Sequence, residues 1–522
     1  MSNTYFKNKY DVVIIGGGVS GLGSALTLST RKLDILVLEQ HNTLGGVATS
    51  FVRNNVEYET ALHEMMSVGP KEYPLSIRRF FDSHGVDIEW VRVPEAFRLV
   101  TPDIDITIHA GMDGTYDIPA REIADYLMGG DDLYKKLLSF FKLCRSIYDA
   151  VSGNDDDNKF KKASNYMNLV GTAGYSVLDV LKSFDIPEKA MEILSTYWMY
   201  LGNVIGDLPF SVYAIVIADY FGYGSYFPKN TSYEISLKMA EAVKAKGVQI
   251  ECGVRVDNIL VENKVVKGVK LSDGTIINCD YVISGSYPNK VYTQMIEPKE
   301  EISKDMIKYV NSRVMSCTCF SVILLLDKDY KDLGITNYAT FSAPNGMNFD
   351  EIWNEMNTMG PWNYFTSICN NVANPDASPK GTCIYSMTAL PLPQAFDDLT
   401  VENYEEIKRK NALYFIEEES KRLGVNLLDH ILEITIETPV TISHFVGSWN
   451  GCIYGYLHSM NDHAVARVEM KKKEQYISGL TFNGAHHEAG DGIATVINNG
   501  RKSAQDVFVE MTRRRRANKN GD

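Results

Sequence analysis

The sequence predicts an α/β protein, α+β overall, in which a domain with a parallel sheet is interleaved along the chain with a domain of mixed sheet and helices. Three patterns predict this class: a βαβ unit opens the chain, short strands with tight turns follow a long helical stretch, and a strand followed by a helix closes it. At 522 residues the chain exceeds the roughly 250–300 residues of a single hydrophobic core. We therefore expect two domains.

The opening βαβ unit carries a glycine motif that suits a dinucleotide. An apolar run of strand length, Val12 to Ile15, leads into GGGVSG at 16–21, which fits G-x-G-x-x-G. Gly16 allows a tight turn, Gly18 lets the backbone approach a pyrophosphate, and Gly21 lets the next helix pack closely on the strands. The N-terminus of that helix offers free N–H groups to phosphates. The motif therefore predicts a dinucleotide site.

An acidic residue ends the second strand of this unit. Glu39 follows the apolar strand 35–38 and lies eighteen residues after Gly21. A carboxylate at this point accepts hydrogen bonds from the ribose hydroxyls of an adenosine and repels a 2′-phosphate. FAD or NAD is therefore expected rather than NADP. A glycine turn in an ordinary α/β unit is the alternative, and it is disfavoured because strand, helix and acid are all in register.

Composition and charge exclude several classes of protein. The chain has 52 basic and 66 acidic residues, a net charge of −14, which argues against nucleic-acid binding. Its eight cysteines form no paired C-x-x-C pattern, so neither a zinc site nor a disulfide framework is indicated. No signal-peptide pattern is visible and no apolar run reaches about 18 residues. We expect a cytoplasmic protein that is at most peripheral on a membrane.

Two surface features bear on membrane contact. Residues 132–150 have apolar positions at helical spacing and predict an amphipathic helix. Its broad apolar face suits either core packing or a membrane interface, and both interpretations stay open. The run Arg513 to Arg516 follows a last helix predicted to end at Met511. We expect it to be a solvated charged tail, with binding of an anionic lipid head group as the alternative.

A second glycine pair, Gly45-Gly46, lies six residues beyond Glu39 and leads into a predicted hairpin that turns at Asn54-Asn55. This segment resembles the extended fingerprint of FAD enzymes of the amine oxidase and phytoene desaturase superfamily. In that family the second pair lets the backbone approach the flavin side of the cofactor, which an NAD dehydrogenase does not need. The family often has arginine after the pair, where this chain has Val47.

Residues 226–284 carry the resemblance further. A helix, a strand at 248–251 and a strand hairpin that turns at Asp273-Gly274 match the family pattern, in which the valine at position 256 binds adenine through its backbone. The resemblance thus implies that Val256 contacts the adenine. The family's glycine pair after the lead-in proline is replaced here by Asn230-Thr231.

The C-terminal segment resembles the family's flavin turn. A strand at 480–485 and the sequence HHEAGDG lead into a helix that begins at Ile493. The resemblance implies that a helix N-terminus lies against the flavin here, where it would stabilise negative charge near N1 of the reduced ring. The cofactor-binding positions implied by this turn are Gly490, Asp491, Gly492 and the Ile493 amide. His486-His487-Glu488 has metal-ligand residue types, but adjacent histidines on a turn point apart, and no metal site is expected.

Three side chains are candidates for catalysis. His63 and Glu64 follow the hairpin, where the family's chain passes near the isoalloxazine ring, and a histidine there could orient substrate or transfer a proton. Tyr454 lies in G-x-x-Y-G at 451–455, which the family places close to the flavin. His63 and Tyr454 each have a structural alternative, which we prefer: a histidine hydrogen-bonded in an interdomain wall, and an ordinary packed tyrosine.

The resemblance is strongest to the phytoene desaturase, carotenoid isomerase and retinol saturase branch. It implies a discontinuous Rossmann-type FAD-binding domain interleaved with a substrate-binding domain. The FAD-binding domain would comprise 1–75, 226–300 and 476–522, and the substrate-binding domain 76–225 and 301–475. FAD would be bound non-covalently, and NAD(P)H would serve only as an external reductant, because no second G-x-G-x-x-G follows a strand.

The implied activity is flavin hydride transfer to or from carbon-carbon double bonds of a long apolar, lipid-like substrate, such as a polyene, a carotenoid or retinoid, or an unsaturated fatty acid. Desaturation, saturation and double-bond isomerisation share this chemistry, and the sequence does not choose among them. The first two need an outside electron donor or acceptor. A flavin amine oxidase and a non-catalytic flavoprotein are the alternatives.

Overall fold

The computed structural model describes residues 6–152, 158–344 and 349–520. Its strands are β1 (Lys9–Ile15), β2 (Ile35–Glu39), β3 (Ser50–Arg53), β4 (Val56–Glu59), β5 (Trp90–Arg92), β6 (Phe97–Val100), β7 (Asp105–Ile108), β8 (Tyr226–Pro228), β9 (Gln249–Cys252), β10 (Val256–Glu262), β11 (Val265–Leu271), β12 (Ile276–Ser284), β13 (Ile296–Glu297), β14 (Phe320–Leu326), β15 (Ala339–Ser342), β16 (Phe365–Cys369), β17 (Cys383–Ala389), β18 (Ile431–Glu437) and β19 (Leu480–Phe482). Its helices are α1 (Val19–Leu28), α2 (Ser76–His84), α3 (Asp117–Tyr126), α4 (Gly130–Ser152), α5 (Lys159–Thr172), α6 (Val177–Ser183), α7 (Glu188–Ser195), α8 (Trp198–Leu201), α9 (Phe210–Tyr223), α10 (Ser232–Ala245), α11 (Pro288–Lys290), α12 (Lys304–Asn311), α13 (Phe349–Met356), α14 (Asn370–Ala373), α15 (Val401–Leu423), α16 (Pro439–Val446), α17 (Ala464–Glu474) and α18 (Ile493–Asn520).

The first sheet is built from three separate stretches of chain. Its order is β13-β10-β11-β12-β1-β2-β9, with β19 beside the end of β12. The strands β12, β1, β2 and β9 run parallel, whereas β10, β11 and β12 form an antiparallel meander. Val12 and Ile14 pack with α1, α10 and α18, while Val13 and Ile15 pack on the opposite side with the meander and α12. Burial on both sides explains why β1 reads as a continuous apolar run.

The second sheet has the order β18-β14-β17-β16-β15-β6-β7. Its pairs are antiparallel except β6 with β15. One side of β14, carrying Val322 and Leu324, packs into the large core that includes Phe415 of α15. On the other side, Ile323 and Leu325 pack against Val56 and Tyr58 of the hairpin β3–β4. This second side of the sheet faces the first domain.

The predicted fold class is confirmed: a Rossmann-like domain accompanies a separate domain with a mixed sheet. The residue boundaries given for the two domains stay a prediction. Several local predictions agree with the structure, including the hairpin turn, where Asn54 and Asn55 both have positive φ as a two-residue type I′ turn requires. Within the described ranges, no helix is both long enough and apolar enough to cross a membrane.

The predicted amphipathic helix 132–150 corresponds to α4, and its apolar face is core. Leu137, Phe140, Phe141 and Cys144 are fully buried in the large core that also contains α9. The core-packing interpretation of this face is therefore correct. A different helix, α5, exposes apolar side chains, with Phe160 89% and Met167 72% accessible.

The prediction of a solvated tail from Arg513 to Arg516 is wrong in its secondary structure. The helix α18 continues through these residues to Asn520. Arg514 pairs with Glu510 one turn earlier, and its guanidinium lies 4.9 Å from the ring centroid of Tyr281. An acid and a base spaced i, i+4 stabilise a helix, and the aromatic contact anchors it on the sheet.

Candidate active site

The turn between β1 and α1 has the geometry that the glycine motif predicts. Gly16 has a φ of +104°, which side-chain-bearing residues rarely adopt. A Cβ at Gly21 would collide with the carbonyl oxygen of Gly16, so glycine is needed for α1 to pack this close. Gly18 is the N-cap of α1, and the first turn of the helix borders a large cavity. Unsatisfied N–H groups at a helix start suit an anionic ligand.

Glu39 lies at the end of β2 beside this turn. Its Oε2 accepts a hydrogen bond from the Gly17 N–H at 2.7 Å, and its Oε1 accepts one from the His41 N–H at 2.8 Å. These bonds hold the carboxylate at the cavity wall. Each carboxylate oxygen can accept more than one hydrogen bond, so capacity for ribose hydroxyls remains.

The second glycine pair packs directly on the first glycine turn. The N–H of Gly45 donates to the Gly17 carbonyl at 3.0 Å, and Gly18 and Gly45 form a parallel bridge. Gly45 and Gly46 have φ values of +115° and +62°. The two glycine segments therefore form one continuous backbone surface, and Val47 beside it lines the cavity with an apolar side chain.

The C-terminal turn brings a second helix start to the same cavity. Gly490 and Gly492 both have a φ of +86°, and α18 begins directly after them at Ile493. Two glycines let α18 pack tightly on α1: a Cβ at Gly23 would lie 2.9 Å from the Ile497 carbonyl oxygen, and one at Gly500 would collide with the Ser20 carbonyl oxygen. The close packing of the two helices holds both N-terminal turns beside one ligand space.

A single cavity of about 2040 Å³ connects these elements. A pocket for one small ligand usually has roughly 300–1,000 Å³, so this cavity has room for a dinucleotide and a second ligand. Of the predicted cofactor-binding positions, Gly490 does not line it, because the imidazole of His458 fills the space beside that glycine. The other predicted positions line the cavity: Gly16, Gly18, Gly21, Glu39, Gly45, Gly46, Val256, Asp491, Gly492 and Ile493.

The three candidate catalytic side chains, His63, Glu64 and Tyr454, line this cavity too. Glu64 is buried, and its carboxyl accepts hydrogen bonds from the Ser225 hydroxyl and, at 2.9 Å, from the Tyr200 hydroxyl. Burial raises the pKa of Glu64 to about 8, against the effect of these two donors. Glu64 is therefore protonated at neutral pH and can donate a proton into the cavity.

His63 is a neutral ring in the cavity wall. Burial lowers its pKa to about 4. Its ring centroid lies 5.9 Å from that of Tyr200, and among the described residues the ring has no hydrogen-bond partner. The carbonyl of His63 accepts a hydrogen bond from the Tyr338 hydroxyl, so the backbone anchors this residue. His63 therefore lies in the cavity wall, as the preferred interpretation expects. In the part of the chain that the structure describes, its ring lacks the hydrogen bond that this interpretation included.

Tyr454 is a half-buried member of the same wall. Burial raises its pKa well above the ordinary value of a tyrosine, so its hydroxyl stays protonated. Its ring packs beside Gly202, where a Cβ would lie 3.1 Å from the Tyr454 Cδ2. The ring thus separates the glycine turn after α8 from the ligand space.

A buried His–Asp pair lies under the C-terminal turn. The Nε2 of His458 and the Oδ1 of Asp491 are 2.9 Å apart, and both side chains are almost inaccessible. Burial lowers the pKa of His458, against the effect of the aspartate. No sequence signal identified His458, because it lies 33 residues from its partner. Likewise, no local pattern predicts that Tyr200 and Ser225 both hydrogen-bond Glu64, because only the fold brings α8 next to the segment before β8.

The neighbouring histidines of the turn are neutral. Burial lowers the pKa of His486 and of His487 to about 3. Within the described part of the chain, no group of three or more histidine, cysteine or carboxylate side chains converges as metal ligands would. Glu488 instead pairs with Lys471 and Lys502 at 3.4 and 3.3 Å.

The far wall of the cavity is apolar. It is formed by helices of the second domain, which contribute aromatic and aliphatic side chains. These are Tyr148, Val151, Tyr166, Leu169, Met199, Leu201, Val212, Ile215, Val216 and Tyr220. The ligand space thus changes from backbone N–H groups and glycines at one end to hydrocarbon at the other.

The fold and the cavity define a class of protein with a Rossmann-like domain suited to a dinucleotide and a separate mixed-sheet domain. The family model for an NAD(P)-binding Rossmann-like domain matches residues 14–83. Among solved structures, an oxidoreductase from Methanosarcina mazei covers 95% of this chain and 100% of its own, with a TM-score of 0.62 and 17% identity. An engineered double mutant of putrescine oxidase covers 96% and 99%, with a TM-score of 0.61 and 12% identity. At such identities these structures establish the fold alone.

Sequence relatives narrow the class. The 4,4′-diaponeurosporene oxygenase of Staphylococcus haemolyticus is 20% identical over 95% of this chain and 96% of its own. The 4,4′-diapophytoene desaturase (4,4′-diapolycopene-forming) of Methylomonas sp. is 22% identical over 95% of each chain. The all-trans-retinol 13,14-reductase of Rattus norvegicus is 23% identical over 64% of this chain and 57% of its own. Along most of its length the chain is thus similar to carotenoid desaturases and oxygenases and to a retinol reductase, and its fold is amine oxidase-like. The predicted resemblance is confirmed.

Proposed function

We propose that the chain binds FAD non-covalently and desaturates, saturates or isomerises carbon-carbon double bonds of a long apolar polyene. One observation carries the proposal: a single cavity runs from the glycine cradle to a wall of aromatic and aliphatic side chains. Hydride transfer needs the cofactor ring and the substrate in contact, and a continuous cavity permits that contact. The relatives named as a desaturase, an oxygenase and a retinol reductase support a polyene as substrate.

The residues of the cradle fit FAD. The end of β2 offers a carboxylate to the ribose, and its charge disfavours the 2′-phosphate of NADP. The second glycine pair and the turn before α18 extend the cradle beyond the adenosine half of a dinucleotide. FAD, when bound, supplies hydride transfer, which no amino-acid side chain provides. NAD(P)H would then act only as an external reductant.

Groups of the chain itself would stabilise the reduced cofactor, shield the reacting bond from water and protonate the substrate. The N-terminal turn of α18 offers N–H groups and the positive end of its dipole to negative charge on a reduced cofactor. The apolar wall excludes water from the reacting bond. Glu64 holds a proton at its carboxyl, which suits it to protonate a carbon in the saturating direction. His63, being neutral, would shape the substrate channel.

The direction of reaction decides which partner is needed. Saturation adds a hydride and a proton to the double bond and consumes two electrons from an outside donor. Desaturation removes the same hydride and proton and passes two electrons to an outside acceptor. Isomerisation returns the hydride to the substrate at a different carbon and needs no net electron partner.

Anaerobic incubation of the FAD-loaded protein tests the proposal. A panel of polyenes, unsaturated fatty acids and amines is offered with the flavin oxidised and with the flavin reduced, and products are read by mass and double-bond position. We expect a mass change of two hydrogens, or a moved bond at constant mass, with a polyene. Release of peroxide with an amine under air would instead favour an amine oxidase. A protein that purifies without FAD and does not take it up would end the proposal.

A further inference from the structure

A row of polar side chains crosses the second sheet at the cavity. Ser321 of β14 pairs in register with Glu437 of β18 on one side and with Thr388 of β17 on the other. Thr388 pairs in turn with Thr366 of β16. Directly opposed residues project on the same side of a sheet, so the four form one continuous line across four strands. All four are buried and all four line the cavity.

Three members of this polar row have partners within the protein. The hydroxyls of Ser321 and Thr388 lie 2.8 Å apart and hydrogen-bond each other. The Thr366 hydroxyl donates to the sulfur of Met199 at 3.4 Å, which is a weak acceptor. The row therefore has capacity to bind a further polar group, since each hydroxyl oxygen has an acceptor lone pair to spare.

Glu437, at the end of the row, has a carboxyl oxygen without a hydrogen-bond partner among the described residues. Its side chain is 5% accessible, and among the described residues its Oε2 has no hydrogen-bond donor or acceptor in reach. Burial raises the pKa of Glu437 to about 8; the nearby Glu59 carboxyl also raises it and Arg53 lowers it. The acid is thus protonated at neutral pH, and a buried polar atom without a partner is costly unless a ligand or water satisfies it.

We propose that the polar row of Glu437, Ser321, Thr388 and Thr366 binds a hydroxyl group on one end of an otherwise apolar substrate. The proposal rests on the function proposed above, because it takes the same cavity as the substrate site. A protonated carboxyl both donates and accepts a hydrogen bond, as a hydroxyl does, so the two are complementary. A pure hydrocarbon would leave the row unsatisfied and is expected to bind more weakly.

The alternative ligand is an amine. Glu437 and Glu59 lie near each other in a buried environment, and a cation between them would favour their charged forms. We favour the hydroxyl because the row adds three neutral hydroxyl side chains, and because the Arg53 guanidinium, which acts on Glu437, would repel an ammonium group. The two ligands make opposite demands on the protonation state of Glu437.

Three probes with one carbon skeleton separate these cases: all-trans-retinol, the hydrocarbon with CH3 in place of CH2OH, and the amine with CH2NH2. Their dissociation constants are measured with the FAD-loaded protein by perturbation of flavin absorbance. We expect the alcohol to bind about ten-fold more tightly than the hydrocarbon, the size of one good neutral hydrogen bond. Glu437→Leu should abolish this preference, and Glu437→Gln should keep most of it, because an amide also donates and accepts.

Glu433→Gln and Glu433→Leu serve as matched controls. Glu433 lies on the same strand and does not line the cavity, so neither variant should change the ratio of the dissociation constants of alcohol and hydrocarbon.

Thr388→Val gives a second test if Glu437→Leu fails to retain FAD, and it should reduce the preference for the alcohol. Equal binding of alcohol and hydrocarbon by the wild-type protein would overturn the proposal. Tightest binding of the amine, lost in both Glu437 variants, would overturn it in favour of a cation site. Failure of all three probes to bind would count against the polyene function itself.

Discussion

Three buried acids in the cavity wall differ in their hydrogen-bond partners, and their roles can be tested one residue at a time. Glu64 is held by two hydroxyl donors and keeps its proton because it is buried, and Glu437 keeps its proton for the same reason. Asp491 differs, since its partner is the imidazole of His458 rather than a hydroxyl. Two predictions at the residue scale follow from these contacts.

The first prediction concerns the proton on Glu64. If the protonated acid donates to carbon, double-bond reduction should be constant at low pH and fall as pH rises through about 8, because only the protonated form acts. Glu64→Gln should slow this step by about 10²–10⁴-fold and remove the pH dependence. The measurement is single-turnover oxidation of reduced flavin by substrate across pH.

Tyr200→Phe is the companion variant for this prediction. The Tyr200 hydroxyl donates to the carboxyl and lowers the pKa of Glu64, so its loss should move the fall in rate to higher pH. A merely structural Glu64 would leave the profile of Tyr200→Phe unmoved, and that result would refute the proposed role.

The second prediction concerns Asp491. Its carboxylate lies in the turn before α18, where the family resemblance places the flavin, and a negative charge there opposes reduction of the ring. Asp491→Asn should therefore raise the flavin midpoint potential, by roughly 30 mV or about 1.4 kcal/mol for a two-electron couple. Asp506→Asn is the control, because Asp506 lies farther along α18 and pairs with Lys471 at 2.7 Å. An equal shift in both variants would contradict a local effect.

At the level of secondary-structure elements, helices determine the shape of the site. The pair α1 and α18 meets at glycines, so the two N-terminal turns are held a fixed distance apart. The helix α5 has no buried side chain, yet Tyr166, Leu169 and Ala173 at its end line the cavity. The pair α1 and α18 therefore forms the rigid end of the ligand space, and the exposed helix α5 contributes to its apolar wall together with α4, α8 and α9.

Gly500→Ala tests the packing of α1 on α18. The new methyl group would collide with the carbonyl oxygen of Ser20, so the helices must separate. We expect a loss of about 1–3 kcal/mol in the free energy of unfolding, with weaker FAD retention. Gly171→Ala is the matched control in a helix with open space around it, and it should be neutral or stabilising by about 1 kcal/mol. Equal stability of the two variants would show that the close contact between Gly500 and the Ser20 carbonyl does not restrict the residue at position 500.

We propose that α5 contacts a membrane surface and admits the apolar substrate. Phe160, Tyr166, Met167 and Val170 are all more than half exposed on this helix, beside the cavity border. Interfacial helices bury such side chains at the lipid boundary. Phe160→Glu with Met167→Glu should reduce binding to phospholipid vesicles in a flotation assay by several-fold. Val509→Glu, an exposed position on α18, should not, and an equal loss there would point to general surface charge instead.

At the scale of the whole molecule, the cofactor cradle joins segments that are far apart in the chain. The glycine turn at Gly16, the pair at Gly45, the strand start at Val256 and the turn before Ile493 all border one cavity. A ligand that bridges these segments binds the folded state only, and so stabilises it.

FAD should therefore raise the unfolding temperature. At a free concentration of 100 times the dissociation constant, a ligand that binds only the folded state adds about 2.7 kcal/mol. Differential scanning fluorimetry of flavin-depleted protein with FAD, NAD and NADP measures the effect. We expect FAD to stabilise the protein most, and NADP not at all because Glu39 repels its 2′-phosphate. A larger shift with NADP than with FAD would refute the assignment of the cradle.

Local sequence determined the parts of this protein that depend on neighbouring residues. The glycine motif, the acid at the end of β2 and the hairpin turn at Asn54 each follow from backbone conformation and short-range hydrogen bonds, and they could be predicted residue by residue. The family resemblance added the distant cofactor positions. His63, Glu64 and Tyr454 were recognised as candidates from their place relative to these motifs.

Only the tertiary structure decided which side chains meet across the cavity. The polar row depends on the register of four strands, and the His458–Asp491 pair joins residues 33 positions apart, so no local pattern encodes either. The protonation of Glu64 likewise depends on burial by distant helices. Neighbouring residues determine short-range backbone geometry. Burial, pKa and cavity shape arise from contacts between residues that are remote in sequence, and these contacts determine the chemistry of the site.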